Sequence, residues 1–286
     1  MENLRMDNLS PLLRPGLLVK KAVGKLRRKT TQLPDSPVIT LVNGTVKFET
    51  KKLPFLTEDN QLAMMTGSYD IMLQQFLKRH VKPGDTVIDG GANVGFVSAV
   101  LASNVGKTGE VHSFEPLREC YERLQVLANL NPEYHFFPNN AALGEEEGIL
   151  TLFCPEGDAR NATLVARTEY TDVRKVPVKR LDDYIEANVR SPEKLSVIKL
   201  DVQGFEFPVL RGLEKFLSTT TLRPVIACDM KPFEMSKIGH TLDEFQQYMR
   251  KFGYQAYDIV QRRCRSISVP SPTGAPLFSK PERLRW

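Results

Sequence analysis

Asp85-Thr-Val-Ile-Asp89-Gly-Gly-Ala-Asn93-Val-Gly95-Phe96 is the stretch that decides the fold. A β-branched apolar run stops at Asp89, and glycines follow at 90, 91 and 95. Phe96-Val-Ser-Ala-Val-Leu-Ala102 then reads as a buried helix. A strand that breaks into a glycine turn and re-enters as a helix is a nucleotide-binding arrangement. Glycines let the backbone approach a ligand where a Cβ would clash. The helix start adds unpaired N–H groups and a positive dipole end. The plainer reading of the same residues is a glycine-rich turn in an ordinary α/β protein.

The spacing selects among nucleotides. Asp89-x-Gly91-x-Asn93-x-Gly95 departs from the dinucleotide pattern G-x-G-x-x-G. It resembles the first motif of class I S-adenosylmethionine-dependent methyltransferases, D-x-G-x-G-x-G, with Asn93 at the middle glycine. Asn tolerates a left-handed backbone better than most residues, so the exchange is mild. Twenty residues after Gly95, Val111-His-Ser-Phe-Glu115 reads as a strand ending in an acid. A carboxylate there can accept both hydrogen bonds of a ribose diol. Otherwise Glu115 is a solvated charge at a strand end.

Outward from this stretch the chain alternates. A strand at 134–138 follows a helix at 118–130. Ser196-Val-Ile-Lys-Leu-Asp201 and Pro224-Val-Ile-Ala-Cys-Asp229 are further strands ending in acids. A helix is expected from Phe207 to Leu217, and another at 241–252 opening with the capping box Thr241-Leu-Asp-Glu244. The periodicity predicts last strands at 254–260 and 275–278. Alternation with short loops implies a doubly wound, mainly parallel α/β sheet, with ligands beyond the C-terminal strand ends. Asp89, Glu115, Asn140, Asp201 and Asp229 all fall at that rim.

Four segments are expected. Residues 1–36 form a basic leader, 37–82 a hairpin and helical segment packing on the core, 83–262 the binding domain and 263–286 a C-terminal strand and tail. The first hairpin turns at Asn43-Gly44, and the helical segment is interrupted at Gly67-Ser68, with Ser68 as cap of its second part. Within the domain, residues 148–180 read as an inserted β-hairpin, with a polar excursion between its strands.

Composition sets limits. The 286 residues are 41% hydrophobic with net charge +5, and pI is near 8.9. Residues 14–29 carry Arg14, Lys20, Lys21, Lys25, Arg27, Arg28 and Lys29 and no acid. Such a leader is solvated, or makes weak contact with an anionic membrane surface; no nucleic-acid partner is expected. Cysteines 120, 154, 228 and 264 form no C-x-x-C pair and no zinc pattern, which fits free thiols in the cytoplasm. No apolar run is long enough to span a membrane, and the first residues lack the pattern of a secretory signal.

Several phrases together resemble the FkbM family of S-adenosylmethionine-dependent methyltransferases. They are the glycine stretch 84–95, Phe114-Glu-Pro116, Asn140-Ala-Ala-Leu-Gly144, Val178-Lys-Arg-Leu-Asp-Asp183 and Ile198-Lys-Leu-Asp-Val-Gln-Gly-Phe-Glu206 with Leu210-Arg-Gly212. The resemblance implies a Rossmann-like, seven-stranded class I fold with S-adenosyl-L-methionine as cofactor. Asp89, Gly91, Asn93 and Gly95 would carry the cofactor turn, Glu115 would hold the ribose, and Asn140 and Ala141 would line the adenine, Asn140 through its side-chain amide. The family methylates hydroxyl oxygens, often on sugars or secondary metabolites. It usually has Glu where this chain has Gln203, which keeps shape and hydrogen bonding but loses the charge.

Methyl transfer to a hydroxyl needs positioning and a base. Asp201 ranks first, ending the strand beside the first core strand. Asp229 and, below it, His240 follow. A structural or cofactor-binding role for the Asp201 carboxylate stays equally open. Lys199, on the same strand face as Asp201, pairs with an acid or lowers an acceptor's pKa. Nothing in the sequence selects a metal. Two alternatives stay open: a non-catalytic cofactor-binding scaffold, for which Gln203 speaks, and an NAD-dependent oxidoreductase, against which the missing G-x-G-x-x-G speaks.

Overall fold

The computed structural model describes residues 38–40, 46–50, 53, 56–156, 161–221, 223–258 and 276–279. The leader 1–36 and the Asn43-Gly44 turn lie outside these residues. In chain order, β1 (Val38–Thr40) and β2 (Lys47–Glu49) precede α1 (Glu58–Met65) and α2 (Ile71–His80). Then come β3 (Thr86–Gly90), α3 (Phe96–Val105), β4 (Glu110–Phe114), α4 (Arg118–Leu130) and β5 (His135–Asn139). The strands β6 (Ala142–Gly144), β7 (Gly148–Cys154) and β8 (Asp172–Arg180) lead to α5 (Leu181–Asn188). The last part runs β9 (Leu195–Leu200), α6 (Glu206–Arg211), α7 (Glu214–Thr219), β10 (Val225–Cys228), α8 (Pro232–Lys237), α9 (Leu242–Lys251), β11 (Gln255–Asp258) and β12 (Pro276–Ser279).

Seven strands form the central sheet in the order β11-β12-β10-β9-β3-β4-β5. The contacts from β10 to β5 are all parallel, so five strands share one direction. Strands buried on both faces must be apolar at every position, and side chains then alternate between two cores. Val87, Val111, Val197 and Val225 join one cluster with Phe96 and Leu127 of α3 and α4. Ile88, Ile198 and Ile226 join the other with α5, α6 and α9. The chain lays β4 and β5 on one side of β3 and β9 and β10 on the other, so the switch point falls between β3 and β9. The doubly wound, mainly parallel sheet read from the sequence is therefore the observed one.

Two local expectations change, and two expected elements gain partners. The cap of α2 is Asp70, not Ser68: its backbone is left-handed (φ 40°) and its carboxylate accepts from Leu73 N at 3.3 Å. The helix expected over 207–217 is two short ones. Gly212 sits so close to β6 that a Cβ would lie 2.3 Å from Gly144 O. The second piece is capped by the buried Asp182, which accepts from Lys215 N and Phe216 N at 2.9 and 2.8 Å. The inserted hairpin of β7 and β8 is joined by β6, parallel to β8, into a separate three-stranded sheet. The C-terminal strand β12 is no appendage, because it runs antiparallel between β10 and β11. The capping box of α9 is present as read.

The β1–β2 pair is a two-stranded sheet outside the main one, tied to it by Asn131. Asn131 donates to Lys47 O and Leu127 O and accepts from Lys47 N, each at 2.8 Å. Phe48 packs edge-on against Phe96 at 5.8 Å. Replacing Asn131 by Ala strands buried backbone groups and is expected to cost about 2 kcal/mol in urea unfolding. A loss below about 0.5 kcal/mol would show that the β2 junction carries no stability.

Candidate functional site

A cavity of about 400 Å³ opens at the C-terminal rim of the parallel strands. That is a small-molecule size. Its floor is the glycine turn. Gly91 and Ala92 both donate to Phe114 O at 3.0 Å, and Gly91, Asn93 and Gly95 take φ of 72°, 50° and 88°. A Cβ on Gly91 would lie 2.0 Å from Asp201 O, so glycine is what lets this turn pack on the loop after β9. Asn93 takes the left-handed backbone foreseen for it, with its side-chain oxygen accepting from Val94 N at 2.7 Å.

Asp89 and Lys199 lie beneath the turn. Asp89 is fully buried, accepts from Ser98 Oγ at 2.6 Å and pairs with Lys199 Nζ at 3.0 Å. Ser113 donates to Ser98 at 2.8 Å and extends the network. Lys199 also donates to Gly91 O at 2.8 Å and Gly90 O at 3.3 Å. Burial alone would lower its pKa, but Asp89 and Asp201 outweigh burial and raise it. Its ammonium is thus committed to the floor of the site, although the side chain lines the cavity. Asp89 and Gly95 support the turn without lining it, Gly95 packing on Leu124 of α4.

Glu115 does line the cavity and is 6% exposed. Its carboxylate accepts from Asn93 N at 2.8 Å and Leu117 N at 2.9 Å. Burial raises its pKa to about 7 despite these two bonds. Ala141 lines the cavity beside it, but the Asn140 amide does not. That amide donates to Glu115 O and Pro116 O at 2.9 and 3.0 Å, holding the strand-end loop.

Asp201, Gln203, Asp229 and Lys231 also line the cavity. Gln203 Nε2 donates to Asp201 Oδ1 at 2.7 Å, and Asp229 pairs with Lys231 at 3.1 Å. The pKa of Asp201 is raised, first by burial; Lys199 opposes the shift and Asp229 adds to it. Gln203 has φ 55°, and its carbonyl accepts from Thr163 Oγ1 at 2.8 Å, so the inserted arm braces this loop. His240 stacks edge-on against Phe207 at 4.8 Å and is not in the cavity wall. Among the described residues no cluster of three or more His, Cys, Asp or Glu is placed to hold a metal.

Two contributors were not assigned from sequence. Glu206, fully buried, accepts from Val202 N at 3.0 Å and Gly204 N at 3.3 Å, and burial raises its pKa to about 8. It stands in a quoted phrase, but only the fold shows that its carboxylate turns back on its own loop. Thr163 sits in the polar excursion between β7 and β8, where no pattern marks it.

The model of the methyltransferase FkbM domain matches residues 89–256. Methyltransferase 1 of Beauveria bassiana (strain ARSEF 2860) is 26% identical over 152 residues, which cover 46% of this chain and 60% of that protein. Among solved structures, the methyltransferase FkbM of Methylobacillus flagellatus KT aligns at 16% identity and TM-score 0.44, covering 77% of this chain and 53% of that one. Aeropyrum pernix fibrillarin, with natively bound S-adenosyl-L-methionine, aligns at 12% identity and TM-score 0.42 over 84% of this chain and 91% of its own. The chain thus spans under two thirds of the length of both the B. bassiana and the M. flagellatus relatives.

Glu115 makes the site sensitive to pH. Only its ionised form accepts both hydrogens of a diol. With a pKa of about 7, the ionised share falls about tenfold between pH 8 and 6, and a ligand held this way weakens in proportion. The same raised pKa favours the neutral acid in the fold, so its stability contribution shrinks as pH rises from the ordinary carboxylate range to about 7. Calorimetric titration with S-adenosylhomocysteine is expected to show the affinity loss, and Glu115→Gln to bind weakly with a flat profile across that window. A parallel drop in the variant would assign the titration elsewhere.

Proposed function

Because the chain belongs to the FkbM family of S-adenosylmethionine-dependent methyltransferases, we propose that it methylates a hydroxyl oxygen with Asp201 as proton acceptor. The observation that carries the reading is one cavity lined together by the glycine turn, Glu115 and the half-buried Asp201.

The residues present fit the cofactor. It carries a ribose diol and an ammonium, both donors that acceptors match, and the rim offers Glu115 and Asp229 for them. Glu115 would hold the diol, and the turn 91–94 would take the amino-acid end. Pro116 and Ala141 would flank the base. When bound, the cofactor supplies an electrophilic methyl group on sulfur. Family membership removes the NAD-dependent alternative.

The chain's own residues do the rest. Asp201 has one oxygen held by Gln203, which fixes its plane and leaves the second oxygen for an acceptor hydroxyl. Its raised pKa makes it a better proton acceptor than an ordinary aspartate. Lys199 serves as a positioning residue: it fixes the turn's carbonyls and so the distance between turn and base. Asp229, paired with Lys231, sets the charge around Asp201. The described cysteines 120, 154 and 228 are free and buried, in keeping with a cytoplasmic setting.

Asp201→Asn tests the assignment. Turnover, read as S-adenosylhomocysteine released in a screen of hydroxyl compounds, is expected to fall by about 10² to 10⁴ with cofactor affinity retained. Loss of cofactor binding in the variant would move Asp201 to the binding role. Cofactor binding by the parent chain without turnover on any hydroxyl compound would favour the scaffold reading.

A further inference from the structure

The cavity lining mixes polar and apolar residues, and four of the apolar ones lie outside the family-matched segment 89–256. Leu56, Met64, Tyr69 and Leu73 come from the region of α1 and α2; Leu152 and Leu164 come from the inserted arm. Met64 and Leu152 are 2% exposed and Leu73 9%, so the wall is continuous with the core. Tyr69 is set edge-on against Phe96 at 5.4 Å. Helix α2 packs on α3 and β9, and Thr163 ties the arm to Gln203, whose side chain holds Asp201.

Polar atoms on this wall already have work. The Thr163 hydroxyl donates to Gln203 O and accepts from Val165 N at 3.0 Å. Asp70 Oδ1 accepts from Leu73 N. A free sugar carries a hydroxyl on nearly every carbon. Pressed against Leu, Met and Tyr faces, those hydroxyls lose their hydrogen bonds to water with nothing in return. An aliphatic or aromatic body gains from the same burial.

We propose that the methyl acceptor presents its hydroxyl to Asp201 from an apolar body seated on Leu56, Met64, Tyr69, Leu73, Leu152 and Leu164. This narrows the hydroxyl-methylation reading and rests on it. The wall selects the acceptor; the polar rim serves the cofactor.

The test uses two probes titrated calorimetrically into the full chain saturated with S-adenosylhomocysteine. One is 2-naphthol, a hydroxyl on an apolar ring system; the other is methyl α-D-glucopyranoside. Naphthol is expected to bind at one site and the glucoside not to bind. Leu56→Asp and Leu164→Asp alter half-buried rim positions. They are expected to weaken naphthol about tenfold or more, with Leu164→Val restoring most of it; S-adenosylhomocysteine affinity reports whether each variant is folded. Failure of naphthol to bind, binding of the glucoside in its place, or naphthol affinity unchanged from the parent chain in both Asp variants overturns the proposal. If S-adenosylhomocysteine itself does not bind the parent chain, the methyltransferase reading falls, and naphthol titrated into the cofactor-free chain decides the wall by itself.

Discussion

The buried ammonium of Lys199 holds the site together. It sits 3.0 Å from Asp89 and 2.8 Å from Gly91 O, inside the sheet, where neither charge would be stable alone. Removing one partner of such a pair leaves a buried charge uncompensated, typically at a cost of about 3–5 kcal/mol. The pair also joins two strands that meet at the switch point, since Asp89 belongs to β3 and Lys199 to β9. The geometry of the cavity floor therefore follows from one cross-strand contact. The absent side chain at Gly91 completes it: with any Cβ there, the turn would be pushed off Asp201 O.

That contact explains why the rim is polar while the strands below it are not. Val87, Ile88, Val197 and Ile198 bury both faces of β3 and β9 and leave no room for water. Charge is tolerated inside the sheet where it is paired, as in Asp89 and Lys199, and at the strand ends where loops supply donors. Glu115 gets two backbone N–H groups there, and Glu206 gets two more. Both carboxyls remain so dry that burial lifts their pKa to about 7 and about 8. Of the two, Glu115 lines the cavity, while Glu206 is turned back on its own loop.

The parallel sheet, its glycine turn and its acid-ended strands were legible because each leaves a local pattern. An apolar run ending in Asp, with glycine following, has few other readings. The left-handed Asn93 was legible for the same reason. What escaped reading depends on contacts between distant segments. The amide of Asn140 turns to Glu115 O and Pro116 O rather than into the cavity, and no local pattern sets that choice. Asp70 outcompetes Ser68 as a cap because the chain turns left-handed there, a choice set by packing of α2. The split of the helix at Gly212 is decided by Gly144, far along the chain.

The charge balance at the Asp201 end gives Gln203 a meaning that its place in the sequence alone does not. Asp201, Asp229 and Glu206 crowd one loop cluster, opposed by Lys199 and Lys231. A carboxylate at position 203 would face Asp201 across the 2.7 Å now spanned by an amide hydrogen bond. Two acids at that distance share a proton and titrate as a pair. The amide instead donates, and a donor stabilises the ionised form of the residue it touches. With Gln203 in place, Asp201 can be buried, raised in pKa and still able to take up a proton. The amide thus holds Asp201 as a hydrogen-bonded carboxylate, an arrangement that serves the proposed base and the scaffold reading alike.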